Sequence, residues 1–156
     1  VDLNGVINDV CSLLEHQFDA GRVKLRRELA TEPVMVFGTE HQLQQVFLNL
    51  FLNARDAMPR GGWLSVATRA DGDVVIAEIA DTGQGIPPEQ LARIYDPFFT
   101  TKAIGRGTGL GLSISYGIVR EHDGTIRCDS AVGQGTRFTL ALPAIGAPAL
   151  RAAART

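Results

Sequence analysis

At 156 residues the chain has the length of one ordinary domain, and with 45% hydrophobic residues it can bury a core without disulfide or metal staples. Fifteen Lys and Arg against 17 Asp and Glu leave a net charge of −2, which argues against a nucleic-acid binder held by a broad basic field. No apolar run reaches the roughly 18 residues of a membrane span, no signal-peptide pattern opens the sequence, and Cys11 and Cys128 lack metal-ligand spacing, so a disulfide scaffold and a zinc cluster are excluded and a reducing, cytosol-like compartment is expected.

Leu3, Val6, Ile7, Val10, Leu13, Leu14 and Phe18 recur three and four residues apart and predict a helix over residues 2–21, capped by Asp2 or Asn4 and ended by Gly21. Val23 to Leu29 alternates loosely and Val34-Met35-Val36-Phe37 is a short apolar run; both read as strands. A stronger helix is predicted over residues 39–58, with Leu43, Val46, Phe47, Leu50, Phe51, Ala54, Ala57 and Met58 as its apolar stripe. Residues 62–68 and 74–79 flank an Asp71-Gly72 turn signal and predict a hairpin. Residues 81–108 are rich in Gly, Pro, Thr and Asp, with one short helical piece over 88–94; so long a weakly structured stretch inside a compact domain marks a functional segment. A third main helix over 109–122 and strands over 124–130 and 136–142 complete the pattern, and residues 144–156 are expected to be a disordered tail. Helices alternating with hairpin-forming strands predict a two-layer α/β sandwich, a mixed and largely antiparallel sheet with three main helices on one face.

Three stretches carry candidate chemistry. On the second main helix, Gln42, Gln45, Asn49, Asn53 and Asp56 fall along one narrow stripe roughly opposite the apolar one. Asn is a poor helix former, so two of them one turn apart suggest a shared hard cation or polar ligand rather than a solvated face. Asp81-Thr82-Gly83-Gln84-Gly85-Ile86 follows an apolar strand directly, where a carboxylate could accept a hydrogen bond from a ligand amine and the glycines let backbone approach a flat ring; an ordinary turn is the competing reading. Gly105-Arg106-Gly107-Thr108-Gly109-Leu110-Gly111-Leu112 runs straight into a helix, so that free backbone N–H groups and the helix N-terminus converge on an anion. Its spacing fits neither the P-loop nor the dinucleotide fingerprint. Lys102 and Arg106 flank this segment as a basic lid, while Phe98-Phe99 reads either as a core anchor or as part of that lid. His16, His41 and His122 read as surface or helix-end residues, since none stands beside a Ser or Cys.

The order of these segments, with Asp96-Pro97-Phe98-Phe99 between the last two and Gly133-Gln134-Gly135-Thr136 after them, resembles the N, G1, F, G2 and G3 boxes of the sensor histidine kinase ATP-binding domain. That family shares its fold, a Bergerat-type ATP-binding fold, with the gyrase, Hsp90 and MutL ATPases. The resemblance covers nearly all of residues 1–143, and Asn53 to Pro59 with Phe98 to Lys102 look most like its nitrogen-regulation-type branch. It implies that Asn53 and Asn49 hold Mg²⁺ against the phosphates of ATP, with Asp56 on the same stripe. It implies that Asp81 bonds the adenine amine, assisted by Thr136 through a shared water, and that Gly83, Gly85 and Ile86 line the base pocket with Tyr95 closing one side. Lys102 and Arg106 would belong to the ATP lid, and Gly107, Thr108, Gly109, Leu110, Gly111 and Leu112 would cradle phosphates.

The acceptor implied by the resemblance is a histidine on an upstream dimerisation domain, with a response regulator receiver domain as the onward partner, in a cytoplasmic location with no membrane contact from this domain. No histidine-bearing helical segment of that kind is evident, so the domain alone is expected to be a monomer without its usual acceptor. In the resemblance, Asp123 stands where the family has one of the two glycines of a His-Gly-Gly turn, a place that Asp tolerates in left-handed geometry. A stand-alone serine kinase and a hydrolytic ATPase of the same superfamily are rival readings. In both, the position one turn before the Mg-binding Asn resembles a general-base Glu, and here it is Asn49, which takes no proton at neutral pH. A module that only senses nucleotide is a third reading, separable by its failure to phosphorylate an added histidine-bearing domain.

Overall fold

The computed structural model describes residues 1–94 and 111–145. In chain order the elements are α1 (Leu3–Leu13), α2 (Glu15–Ala20), β1 (Val23–Glu28), α3 (Glu40–Asp56), β2 (Gly62–Asp71), β3 (Val74–Asp81), α4 (Pro88–Leu91), α5 (Gly111–Glu121), β4 (Thr125–Ala131) and β5 (Gly135–Pro143). The strands form one sheet in the order β1-β2-β3-β5-β4, parallel only between β1 and β2. The mixed, largely antiparallel sandwich expected from the sequence is the fold observed.

Side-chain parity decides the two faces. Leu64 and Val66 of β2, Ile79 of β3 and Leu140 and Leu142 of β5 point inward and are buried. They meet Leu43, Phe47, Leu50 and Phe51 of α3, Leu3, Val6 and Ile7 of α1, and Val119 of α5. Phe51 is the hub, with ring centroids 6.1 Å from Phe47 and 6.4 Å from Phe18. Each such ring contributes roughly 1.5–3 kcal/mol on burial. The opposite face carries Lys24, Arg69, Glu78, Arg127, Asp129 and Arg137 and lies open.

Two elements depart from expectation. The helix predicted over 2–21 breaks at Leu14, whose backbone (φ −100°, ψ 5°) turns the chain into α2 and swings Phe18 onto Phe51. Asp2 is its cap, accepting from the Asn4 N–H at 3.1 Å. The run Val34 to Phe37 forms only isolated bridges, Asp2 with Met35 and Val36 with Ala144. Its alternation is genuine, with Val34 and Val36 buried and Met35 and Phe37 exposed, but the partner segments supply only one bridge on each side. Ala144 and Ile145, assigned to the tail by the sequence, are paired here, the Ile145 N–H donating to the Met35 carbonyl at 2.8 Å.

The Thr39 side chain does not cap α3; its backbone N–H donates instead to His122 Nε2 at 3.1 Å, while Nδ1 of that ring faces the Ile118 carbonyl at 2.8 Å. Through these two contacts the His122 ring ties the end of α5 to the start of α3. Asp123 follows at φ 59°, the left-handed conformation its place in the turn requires. Among the described residues, no helix is long and apolar enough to cross a membrane.

Candidate nucleotide-binding site

Antiparallel register puts Asp81, the last residue of β3, opposite Thr136 near the start of β5. The Asp81 carboxylate accepts the Gly83 N–H at 2.8 Å and a backbone N–H from Thr136. Burial raises its pKa above the ordinary Asp value, and the two backbone hydrogen bonds offset part of that rise. Burial first, then the charges of Asp129 and Asp81, push the Cys128 thiol up to about 12, so it stays protonated at neutral pH and adds no charge to this end of the sheet.

The loop after Asp81 is clamped from two sides. Toward α3, the Gln84 N–H donates to the Ala57 carbonyl at 3.0 Å, and a Cβ on Gly83 would lie 2.5 Å from that same oxygen. Toward the β4–β5 turn, the Gly133 N–H donates to the Gln84 carbonyl at 2.9 Å. Gly85 sits at φ +76°, and a Cβ there would fall on the Ala131 carbonyl oxygen, so both conformation and space demand glycine. Ile86, half-buried, closes the loop by donating its N–H to Ser130 Oγ at 2.8 Å.

The loop touches the chain just past α3, at Ala57, and the polar stripe of α3 reaches α5. Gln45 Nε2 donates to Asn49 Oδ1 at 2.9 Å, and Asn49 Nδ2 donates to the Gly111 carbonyl at 3.1 Å and to Ser115 Oγ at 3.2 Å. Ser115 is fully buried, so the link joins the two helices across their interface. Asn53 lies one turn on, half-buried, followed by Asp56, which pairs with Arg55 at 3.0 Å. The two asparagines offer neutral amide oxygens, a hard donor set that suits a cation whose remaining ligands are phosphates and water. Asn49 Oδ1 retains a second lone pair beside the Gln45 bond. Among the described residues no cluster of three His, Cys, Asp or Glu could hold a metal without such help.

Asp81, Gly83, Gly85, Ile86 and Thr136 therefore lie together at the end of the sheet, while Asn49 meets Gly111, the neighbour of Leu112, across the α3–α5 contact, with Asn53 and Asp56 further along α3. Tyr95, Lys102, Arg106, Gly107, Thr108, Gly109 and Leu110 lie outside the described residues. The sequence reading missed Ser130. Its signal was parity: Ile126, Cys128 and Ser130 share the inward side of β4, and a hydroxyl at an inward position beside a glycine turn calls for a partner.

Residues 38–145 match the family described as histidine kinase-, DNA gyrase B-, and HSP90-like ATPase. The sensor histidine kinase ZraS of Escherichia coli O157:H7 is 41% identical over 143 residues, 92% of this chain and 31% of ZraS. Sporulation kinase A of Bacillus subtilis (strain 168) is 37% identical over 143 residues, 92% of this chain and 23% of that kinase. Among solved structures, the nucleotide-free catalytic domain of histidine kinase ThkA superposes with a TM-score of 0.82 at 31% identity, covering 91% of this chain and 94% of that one. The mycobacterial sensor histidine kinase MprB gives 0.82 at 28% identity, covering 92% and 95%.

The chain belongs to the histidine kinase-, DNA gyrase B- and HSP90-like ATPase family. It is an ATP-binding catalytic domain of the histidine kinase type. It spans about a third or less of the length of the curated relatives it matches.

Proposed function

We propose that this domain binds Mg-ATP between the Asp81 loop and α3 and delivers the γ-phosphate to a histidine on a separate dimerisation domain, from which a response regulator receives it. The observation that carries transfer over hydrolysis is Asn49. Its amide takes no proton at neutral pH, and both its nitrogen and its oxygen are engaged with Gly111, Ser115 and Gln45, so it offers no base to activate water. An acceptor imidazole arrives already nucleophilic and needs no such base.

Phosphoryl transfer asks a protein for position and charge stabilisation more than for covalent chemistry. Asp81 accepts from the exocyclic amine of adenine, Thr136 supports it, and Gly83, Gly85 and Ile86 form the floor beneath the ring. Asn53 and Asn49 hold Mg²⁺, which when bound neutralises phosphate charge. Gly107 to Leu112 present backbone N–H groups to the phosphates, and Lys102 and Arg106 add positive charge from the lid. Tyr95 closes the side of the base pocket. The Asn53 to Pro59 and Phe98 to Lys102 sequences support placing the parent kinase in the nitrogen-regulation-type branch.

Calorimetric titration with a non-hydrolysable ATP analogue, with and without Mg²⁺ and with GTP as control, tests the binding half. Incubation with a histidine-bearing dimerisation domain and radiolabelled ATP tests the transfer half. Tight, Mg-dependent, adenine-selective binding with no label on the histidine would convert the reading to a nucleotide-sensing module. Phosphate release without an acceptor would convert it to an ATPase.

A further inference from the structure

Ser130 belongs to none of the motif boxes, yet its hydroxyl touches three walls of the Asp81 end. The Ile86 N–H donates to Ser130 Oγ at 2.8 Å, Ser130 Oγ donates to the Gly135 carbonyl at 2.9 Å, and Thr136 Oγ1 lies 2.8 Å away. A backbone N–H only donates and a carbonyl only accepts. Ser130 has one hydroxyl proton, and Gly135 takes it. The bond between the two hydroxyls must therefore run from Thr136 to Ser130, which fills the one-donor, two-acceptor capacity of Ser130. The Thr136 proton is thereby held away from the site, and only lone pairs of Thr136 Oγ1 remain to face it. Opposite in register stands Asp81, which is acceptor-only when ionised.

We infer that Ser130 is a positioning residue for base selection: by fixing the Thr136 hydroxyl as an acceptor, it makes this end of the site accept-only, matched to a purine with an amine at its 6-position and mismatched to one with a carbonyl there. The inference rests on the nucleotide reading above. Without Ser130 the Thr136 hydroxyl is a free rotor. It can then turn its proton toward a 6-carbonyl, and discrimination relaxes.

The test measures ATP and inosine triphosphate affinities by calorimetric titration for the wild-type chain, Ser130→Ala, Ser130→Thr, Thr136→Val and the Ser130→Ala/Thr136→Val double variant. Ser130→Ala should lower the ATP-to-inosine-triphosphate affinity ratio by about three- to tenfold, the worth of one net hydrogen bond. Ser130→Thr keeps the hydroxyl on a residue suited to a strand and should restore the ratio. On the Thr136→Val background, Ser130→Ala should leave the ratio unchanged, because the hydroxyl through which it acts is gone. If Ser130→Ala does not fold, Ser130→Cys, a weak donor and acceptor, carries the same expectation. A variant that weakens both nucleotides equally, or a ratio that falls additively in the double variant, makes Ser130 a structural staple and overturns the inference. A wild-type chain with no preference for ATP overturns the nucleotide reading itself, and this inference with it.

Discussion

At the strand end of the site, Asp81 and Thr136 are set by antiparallel register, and the loop between Thr82 and Ile86 is held by main-chain bonds to Ala57 and Gly133 and by Ser130. At the helix end, Asn49 joins α3 to α5 through side-chain amide bonds, and among the described residues a Cβ added to Gly111 would make only van der Waals contact. The first end is built into the sheet and cannot change without disturbing the fold. The second depends on how α5 approaches α3 and can be altered while the core stands. Binding and stability should therefore be coupled at one end and separable at the other.

The largest expected effect comes from glycine exchange at the two ends. Gly85→Ala imposes a side chain at φ +76° and drives its Cβ into the Ala131 carbonyl, so a loss of roughly 2–4 kcal/mol in thermal or denaturant unfolding is expected. Among the described residues, Gly111→Ala meets only Asn49 Cγ at 3.8 Å and Cβ at 3.9 Å, which is ordinary contact. It should leave stability equal or slightly raised, since Ala is favoured over Gly in a helix by about 1 kcal/mol, while weakening phosphate capture. Equal destabilisation by both would break the distinction between the ends.

Next in size is Asn53→Ala. As a half-buried helix residue it should fold normally and lose about ten- to a hundredfold in Mg-dependent ATP affinity, the range for bonds to charged groups. Unchanged Mg-ATP affinity would remove the metal assignment from the helix end.

The same division governs what could be read in advance. The α3 stripe was legible because helical periodicity places Gln45, Asn49 and Asn53 together without knowledge of any other element. The Asp81–Ile86 loop was legible as chemistry but not as a clamp, because its restraints come from Ala57 at the end of α3 and from Ala131 and Gly133 at the β4–β5 turn, residues distant in sequence and brought to the loop only by the tertiary fold. Ser130 was missed for the same reason: its partners Ile86 and Thr136 meet it through a three-element junction. The break at Leu14 was hidden as well. Periodicity there is unbroken, and only the packing of Phe18 on Phe51 reveals the turn of the chain.

A smaller effect, expected at the strand end alone, comes from pH. The folded Asp81 pKa is raised by burial, so the folded chain binds this proton more tightly than the unfolded one. Its contribution to stability is fully present below the ordinary Asp value and is lost as pH rises through the raised one. Nucleotide binding should run the other way, because only the carboxylate accepts from an amine. ATP affinity should fall as pH is lowered toward the raised value, beginning above the pH at which an exposed Asp would protonate, while thermal stability from this group rises. Asp81→Asn, weaker for ATP by about tenfold, should lose that part of both slopes. Parallel slopes in the wild type would mean that the base is not read by this carboxylate.

The smallest effect belongs outside both ends. Arg69 and Glu78 pair at 3.0 Å on the open face of the sheet, with the Arg69 side chain 56% exposed. Surface pairs of this kind contribute about 0–1 kcal/mol and are screened by salt. Glu78 is nevertheless only three residues from Asp81 on the same strand, with its side chain on the opposite face. If β3 transmitted disturbances along its length, Arg69→Ala would shift ATP affinity. If register alone sets Asp81, as the bonds to Gly83 and Thr136 imply, Arg69→Ala should leave ATP affinity unchanged within error and cost no more than about 0.5 kcal/mol in stability. A measurable loss of ATP affinity there would extend the rigid end of the site through the sheet to its open face.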